Sequence, residues 1–213
     1  MVEDFGGEYL ALGLVFLIIF NVSNMNIVLA SRSKFRKQAL DLLGLDYDVI
    51  PSNIDEQSIR HIDPKILAKK LAMTKAEEVG KRLGGDHLVI AGDLFVLFEG
   101  TIYEKPKTKE EAVDMLSSFS GEEVEIISGV ALFNPETSRS DTAIGQSRIS
   151  FRDISQTEIE KYVANYSVLE LAGAFERDGI LKFSNEVNGD LSFLTGLPMN
   201  KLIQLLKENG IDI

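Results

Sequence analysis

Residues 27–36, with the sequence IVLASRSKFR, combine the features of an anion-binding turn. The apolar residues 27–30 predict a short strand, and the pattern FRKQALDLLGL after the turn predicts a helix. The first backbone N–H groups of a helix have no partner inside the helix, and the helix dipole favours negative charge at that end. Ser31 and Ser33 add hydroxyl groups, and Arg36 adds positive charge. We therefore interpret this turn as a phosphate-binding site.

The helix that follows, from about Ser33 to Leu43, places most of its apolar residues on one side. These residues are Phe35, Ala39, Leu40, Leu42 and Leu43. Arg36 falls among them, whereas Lys34 faces away. An arginine on an apolar stripe either extends its guanidinium to water or points into a cleft, and the neighbouring phosphate turn favours the cleft.

Asp93 and Lys75 are two further residues suited to phosphate chemistry. Asp93 follows the apolar run HLVIAG, which predicts a buried strand ending at this residue. Catalytic groups in α/β folds usually lie at the ends of such strands. Lys75 lies near the middle of the apolar face of a helix predicted from residue 63 or 64 to residue 83. Because lysine is rarely buried without a partner, its amine either reaches water or points at phosphate in a cleft.

The remaining segments predict one continuous α/β unit. The patterning predicts strands over residues 45–50, 94–98, 101–103, 122–134 and 142–154, and helices over residues 108–119, 155–166 and 197–210. Residues 170–179, ELAGAFERDG, are rich in glycine and alanine and predict irregular structure, and residues 180–195 predict strand and turn. We expect a mixed sheet folded around a cleft.

The composition limits the class of ligand. The chain has 213 residues and a formal net charge of −11. A surface this acidic is a poor partner for a nucleic-acid polymer, which needs a basic face, but a local basic pocket with a divalent cation can still bind a small phosphate compound. Cysteine is absent, which excludes disulfides and thiolate chemistry, and with only His61 and His87 a histidine-rich zinc site is not expected.

Residues 1–24 differ in character from the rest of the chain. Residues 9–22, YLALGLVFLIIFNV, are almost wholly apolar, but this run is shorter than the roughly 20 residues that a spanning helix needs. Acidic residues precede it, whereas a signal peptide has a basic start. We interpret residues 1–24 as an extension outside the fold, with Met25 as a candidate start; a membrane-touching anchor and an added packing helix are the alternatives. Residues 25–213 are then a single domain, and no stable membrane insertion is expected.

Six motifs occur in order across residues 26–213. They are LASRSKFR, KLAMTKA, VIAGD followed by EKPKTKEEAVDML, SGVALFN, AGAF and GLP. Their residues and spacing resemble the Maf proteins, nucleoside triphosphate pyrophosphatases with the Maf/Ham1-like fold. The resemblance implies an ITPase-like α/β fold, in which a mixed, strongly twisted sheet is flanked by helices and two lobes surround a central cleft.

The resemblance also implies a reaction and a role for several residues. A nucleoside triphosphate and water would give a nucleoside monophosphate and pyrophosphate, with Asp93 as the general base. The residues expected to bind the substrate are Ser31, Ser33, Arg36, Lys75 and Lys105. A divalent metal cation, Mg²⁺ or Mn²⁺, would be bound by Asp93. Glu56, in the loop of residues 51–58, is either solvated or a second metal-binding residue. The resemblance further implies a cytoplasmic homodimer that acts on a small-molecule nucleotide.

Two branches of the Maf proteins differ in substrate, one acting on dTTP and UTP and the other resembling 7-methyl-GTP pyrophosphatases. Phe35, the phrase SGVALFN and the acidic residue Asp178 favour the second branch. An aromatic ring can stack on a cationic methylated base, and a carboxylate can accept hydrogen bonds from the N1–H and amine edge of guanine. Together with Leu94, which follows Asp93, Phe35 and Asp178 are expected to shape the base pocket.

Four residues depart from the pattern of the Maf proteins. Lys34 replaces a proline, Leu94 a threonine or glutamine, Glu104 a glycine, and Leu171 a lysine. These departures leave open a dTTP/UTP pyrophosphatase, or a catalytically weak nucleotide-binding regulator of cell division. Residues 9–22 alone suggest a third class, a membrane-attached interaction protein. An assay for pyrophosphate release separates the enzyme from the regulator.

Overall fold

One mixed sheet organises the computed structural model, which describes residues 25–213. Within this range its seven strands are β1 (Asn26–Leu29), β2 (Tyr47–Val49), β3 (His87–Phe98), β4 (Thr101–Tyr103), β5 (Glu123–Asn134), β6 (Arg139–Phe151) and β7 (Ser184–Gly189). The strand order is β2-β1-β3-β5-β6-β7, with β4 paired to β3. Strand β1 runs parallel to β2 and β3, and the other pairings are antiparallel. The expected mixed α/β sheet is confirmed.

Helices pack on both faces of the sheet. They are α1 (Lys34–Leu42), α2 (Pro64–Leu83), α3 (Lys109–Ser118), α4 (Gln156–Asn165), α5 (Arg177–Phe183), α6 (Ser192–Thr195) and α7 (Met199–Glu208), with 3₁₀ turns at Glu56–Ser58, Val168–Glu170 and Ala172–Ala174. The side chains of Ser33, Asp63 and Thr108 accept hydrogen bonds from free N–H groups at their helix starts, as expected for N-cap residues. None of the helices in residues 25–213 has the length and apolar content needed to cross a membrane.

The two faces of β3 have different neighbours, because successive side chains of a strand point to opposite faces. Val89, Ala91 and Phe95 pack against α2. On the other face, Ile90 belongs to an apolar cluster with α1 and α7, whereas Val96 belongs to a second cluster with α3 and α4. The second face of the sheet therefore supports two separate cores, and Asp93 lies on the face covered by α2.

A glycine lets α2 approach the sheet closely. A Cβ atom at Gly129 of β5 would lie 2.5 Å from the carbonyl oxygen of Ala68 in α2, a contact that backbone atoms cannot relieve by a rotamer change. Gly129 pairs directly with Asp93 across the sheet. Because Lys75 follows Ala68 by seven residues, or about two helical turns, this packing brings the lysine above the strand that carries Asp93.

Asp93, Leu42 and residues 177–183 differ from their predicted structure. Asp93 lies inside β3 rather than at its end, because pairing with β5 continues through Leu97. Residues 177–183 form α5 instead of irregular structure and turn. Leu42 is 78% exposed although the helical wheel placed it on the apolar side, because the core contacts α1 at Ala39 and Leu40 and does not extend over its last residue. The predictions of an extension, an anchor or a packing helix at residues 1–24 concern residues outside the part of the chain that the structure describes.

Candidate active site

The turn between β1 and α1 has the geometry of an anion site. Ser31 is buried, and its Oγ accepts hydrogen bonds from the backbone N–H of Ser33 at 3.2 Å and from Arg36 Nη1 at 3.1 Å. The Oγ of Ser33 accepts from the backbone N–H of Arg36 at 3.4 Å. Among residues 25–213, the N–H groups of Lys34 and Phe35 have no hydrogen-bond partner. The start of α1 therefore keeps two free donors beside the Arg36 guanidinium.

Arg36 ties this turn to the C-terminal part of the chain. Its Nε donates to the carbonyl oxygen of Gly196 at 3.0 Å. A Cβ atom at Gly92 would lie 3.3 Å from Arg36 Nε and 2.5 Å from Leu197 Cδ2. Because Gly92 has no side chain, the Arg36 guanidinium and Leu197 can occupy the space beside it. The Arg36 guanidinium therefore points into the protein and does not extend to water. Of the two predicted alternatives, the structure supports the one in which the guanidinium points inward.

Lys75 joins two carboxylates. Its Nζ lies 2.6 Å from Asp93 Oδ1 and 2.8 Å from Glu56 Oε2. Lys75 and Asp93 are only 6% and 7% exposed, whereas Glu56 lies in a 3₁₀ turn with half of its side chain in solvent. A buried charge needs a partner, and Asp93 and Lys75 supply each other with one. The Lys75 amine therefore does not reach water, which was one of the two predicted alternatives, and in this structure its partners are carboxylates. That it points at phosphate stays a prediction.

Burial and neighbouring charges act in opposite directions on the pKa of Asp93. Burial raises its pKa above the ordinary value, and the nearby Lys75 and Arg36 charges oppose that rise. Burial lowers the pKa of Arg36, while Asp93 and Glu56 act in the opposite direction. A raised carboxylate pKa is what a general base near neutral pH requires. The two cations keep the ionised form of Asp93 accessible.

The phosphate turn and Asp93 lie on neighbouring parts of the sheet, just beyond the carboxyl end of β1. Strand β1 ends at Leu29, which pairs with Ile90. The serine turn follows directly, and Asp93 lies three residues beyond Ile90 on the neighbouring strand. The structure thus brings together two groups that are about sixty residues apart in sequence.

The predicted metal ligands fit a small hard cation. Among residues 25–213, no cluster of three or more His, Cys, Asp or Glu side chains is arranged to hold a metal ion. Two carboxylates, Asp93 and Glu56, do converge on the Lys75 amine. Mg²⁺ is typically bound by one or two carboxylates together with substrate phosphates and water rather than by a complete protein cage. This donor set is of that kind.

The other predicted residues lie around this centre. Lys105 is exposed in the loop after β4, and no hydrogen bond or ion pair joins it to the other site residues within residues 25–213. Leu94 points to the face opposite Asp93 and packs against the cluster that contains Val96. Phe35 is half-buried in the first turn of α1, and Asp178 is exposed in the first turn of α5.

A further charged group near the turn was not predicted from the sequence. Glu176 immediately precedes α5, and its side chain is only 15% exposed. Its Oε2 lies 3.2 Å from Lys34 Nζ, and the guanidinium of Arg177 lies 5.3 Å from the centre of the Phe35 ring. The sequence gives no local signal for these contacts, since about 140 residues separate α1 from α5.

Comparison with known families decides the class of this arrangement. Residues 26–209 match the family described as "Maf-like protein". The chain belongs to this family. The match covers nearly all of the described residues and both halves of the site, which confirms the resemblance seen in the six sequence motifs.

Individual relatives carry two different names. A 7-methyl-GTP pyrophosphatase of Idiomarina loihiensis is 37% identical over 189 residues, which are 87% of this chain and 96% of that protein. A dTTP/UTP pyrophosphatase of Clostridium novyi is 31% identical over 191 residues, 89% of this chain and 100% of that protein. The solved structure of the Staphylococcus aureus Ham1 protein is 16% identical and superposes with a TM-score of 0.51 over 86% of this chain and 99% of that one. This last similarity shows a shared fold.

Proposed function

We propose that this protein hydrolyses a nucleoside triphosphate to a nucleoside monophosphate and pyrophosphate. The observation that carries the proposal is the buried Asp93–Lys75 pair near the serine-rich helix start that follows the carboxyl end of β1. Relatives of both names are nucleotide pyrophosphatases, which supports the reaction class.

The triphosphate binds through groups that surround the turn. The free N–H groups at the start of α1 and the hydroxyls of Ser31 and Ser33 donate to phosphate oxygens, while Arg36 supplies positive charge. Lys75, which contacts Asp93, neutralises charge that develops on the reacting phosphate. Lys105, which is exposed and free of ion pairs within residues 25–213, supplies a further cation to the leaving pyrophosphate.

Asp93 acts as the general base for the attacking water. A water oxygen attacks the α-phosphorus while Asp93 accepts one of its protons. The bond between the α-phosphorus and the oxygen that bridges to the β-phosphorus breaks, and pyrophosphate leaves with the electron pair of that bond. Asp93 then releases the proton to solvent. In such phosphoryl chemistry the protein contributes chiefly position and charge.

Asp93 and Glu56 are also the residues that would hold the divalent cation, Mg²⁺ or Mn²⁺. The cation supplies charge neutralisation of the phosphate oxygens. Both carboxylates contact the Lys75 amine in this structure. When the nucleotide and the cation bind, the Lys75 amine therefore has to share the carboxylate oxygens with the cation or move towards phosphate.

A panel of nucleoside triphosphates, both unmodified and methylated, tests the proposed reaction. With Mg²⁺ present, we expect pyrophosphate and monophosphate in equal amounts from at least one member of the panel. The Asp93→Asn variant should bind the nucleotide but not release pyrophosphate. Binding without pyrophosphate release by the wild-type protein would instead favour the regulator class, for which Leu94 and Lys34 are the supporting residues.

The finer parts of the prediction concern assembly and location. A homodimer and a cytoplasmic location follow from the resemblance alone. The molar mass in solution, measured by light scattering for residues 25–213, tests the first. Fractionation of cells that express the full chain tests the second.

A further inference from the structure

A surface cavity of about 440 Å³ lies between α4 and α5, and none of the residues of the candidate active site lines it. One wall consists of residues at positions i, i+3, i+4, i+7 and i+8 counted from Glu158, a spacing that places them on one face of α4. Lys182 and Phe183, at the end of α5, form the opposite wall. The volume falls within the range of small-molecule sites, roughly 300–1,000 Å³.

Aromatic rings form a fixed wall of this cavity. Tyr162 and Tyr166 stack with their ring centres 4.4 Å apart and their planes at 22°, and Phe183 meets Tyr162 edge-on at 5.1 Å. Tyr162 is only 3% exposed, and its Oη accepts a hydrogen bond from the backbone N–H of Glu176 at 3.2 Å. Because Tyr162 is held in this way, a flat ligand that packs against the half-buried Tyr166 meets a wall that is already ordered.

The cavity also carries positive charge that no carboxylate balances. Of its three cations, Arg152 is paired with Glu158 at 2.7 Å. Among residues 25–213, the amines of Lys161 and Lys182 form no ion pair with a carboxylate. Lys182 Nζ instead donates to Tyr166 Oη and lies 4.5 Å from the centre of that ring. In a chain with a net charge of −11, two such amines beside an aromatic wall favour an anionic ligand.

We propose that the cavity between α4 and α5 is a second ligand site, which binds the phosphate monoester of an aromatic ring. The ring packs against Tyr166, while the amines of Lys161 and Lys182 match the charge of nearly −2 that a phosphate monoester carries at neutral pH. Lys182 exchanges the neutral Tyr166 hydroxyl for a charged acceptor, which gives a stronger hydrogen bond. The proposal goes beyond the proposed reaction and uses none of its residues.

A titration of the full ¹⁵N-labelled chain, followed by NMR, tests the proposed ligand class with three probes. Phenyl phosphate carries both ring and charge, inorganic phosphate only the charge, and phenol only the ring. We expect phenyl phosphate to bind about tenfold more tightly than either of the other two, because only this probe engages both walls. Absence of phenyl phosphate binding, or equal affinities for phenyl phosphate and inorganic phosphate, would overturn the proposal.

Variants of the lining residues test the two parts of the recognition. Lys161→Gln and Lys182→Gln should each weaken phenyl phosphate binding about fivefold, whereas Lys207→Gln, an exposed lysine of α7, is the matched control and should leave it unchanged. Tyr166→Leu should weaken phenyl phosphate binding about fivefold without affecting inorganic phosphate, and Tyr166→Phe should retain it. Equal affinities in the lysine variants and the control would refute the proposed charge recognition.

The location of the shifted NMR signals separates this cavity from the phosphate turn. We expect the largest shifts at residues 161–166 and 182–183. Shifts confined to residues 31–36, or binding that is lost in Arg36→Lys but kept in Lys161→Gln/Lys182→Gln, would place phenyl phosphate in the candidate active site and overturn the proposal. Pyrophosphate release, measured separately on the wild-type protein, reports on the proposed reaction, so failure of either proposal is visible without the other.

Discussion

Replacing Lys75 by methionine removes one partner of a buried ion pair while keeping a similar apolar stem. Lys75 Nζ and Asp93 Oδ1 are 2.6 Å apart, and the two residues are 6% and 7% exposed. Breaking such a pair typically costs 3–5 kcal/mol. The contact between Lys75 and Glu56 adds little, because half of the glutamate side chain lies in solvent, which screens it. We therefore expect Lys75→Met to lower the free energy of unfolding by about 3 kcal/mol at pH 7.

The pH dependence of this loss follows from Asp93. Burial already raises its pKa, and without Lys75 the pKa rises further in the folded state, above its value in the unfolded chain. Ionised Asp93 is then disfavoured only in the folded protein. The resulting loss of stability in Lys75→Met is absent at a pH below the pKa of Asp93 in the unfolded chain, and it grows as the pH rises through the pKa of Asp93 in the folded protein. The difference in stability between wild type and Lys75→Met should therefore be smaller at low pH than at pH 8.

Urea unfolding followed by circular dichroism measures these effects. A loss of about 3 kcal/mol corresponds to a decrease in Tm of roughly 6–12 °C for a domain of this size. Lys70→Met, an exposed lysine of the same helix, is the matched control and should stay within about 0.5 kcal/mol of wild type. The double variant Lys75→Met/Asp93→Asn should recover a large part of the loss, because no buried charge is left unpaired. A stable Lys75→Met protein whose stability relative to wild type does not depend on pH would refute the reasoning.

Three other predictions concern the support around the site. Arg36→Lys should raise KM for the triphosphate about tenfold, because a lysine cannot bind both the Gly196 carbonyl and a second group in a fixed fork; an unchanged KM would contradict this role. Glu56→Gln should raise the Mg²⁺ concentration needed for half-maximal pyrophosphate release about tenfold, and an identical titration would remove Glu56 from the metal site. Gly129→Ala should destabilise the fold by about 1–3 kcal/mol in thermal unfolding, since the new methyl group meets the backbone of α2. Equal Tm values would show that α2 can shift.

Much of the fold follows from local patterns. Asp63 followed by Pro64 predicts the start of α2, and the structure places both at their expected N-cap and first helical positions. The hairpin of β3 and β4 follows from apolar runs on either side of Glu99-Gly100. These features depend on residues close together in the chain, which is why the sequence alone suffices to predict them.

The parts that the sequence does not predict depend on distant contacts. Lys75 was a candidate because a lysine on an apolar face needs a partner. That the partner is Asp93 depends on the close approach of α2 to β5, which the sequence does not indicate. Helix α5 has only seven residues, too few for a clear helical period. The ion pair of Glu176 with Lys34 joins residues about 140 positions apart in the chain, and no local pattern indicates it.

The central claim is that Asp93 activates a water molecule for attack on the α-phosphorus. Hydrolysis in water enriched in ¹⁸O, with mass spectrometry of both products, tests it most directly. The account predicts one ¹⁸O atom in the monophosphate and none in pyrophosphate, and a loss of turnover of about 100-fold or more in Asp93→Asn while nucleotide binding persists. Label in pyrophosphate, release of orthophosphate with a diphosphate, or near-normal turnover by Asp93→Asn would contradict it.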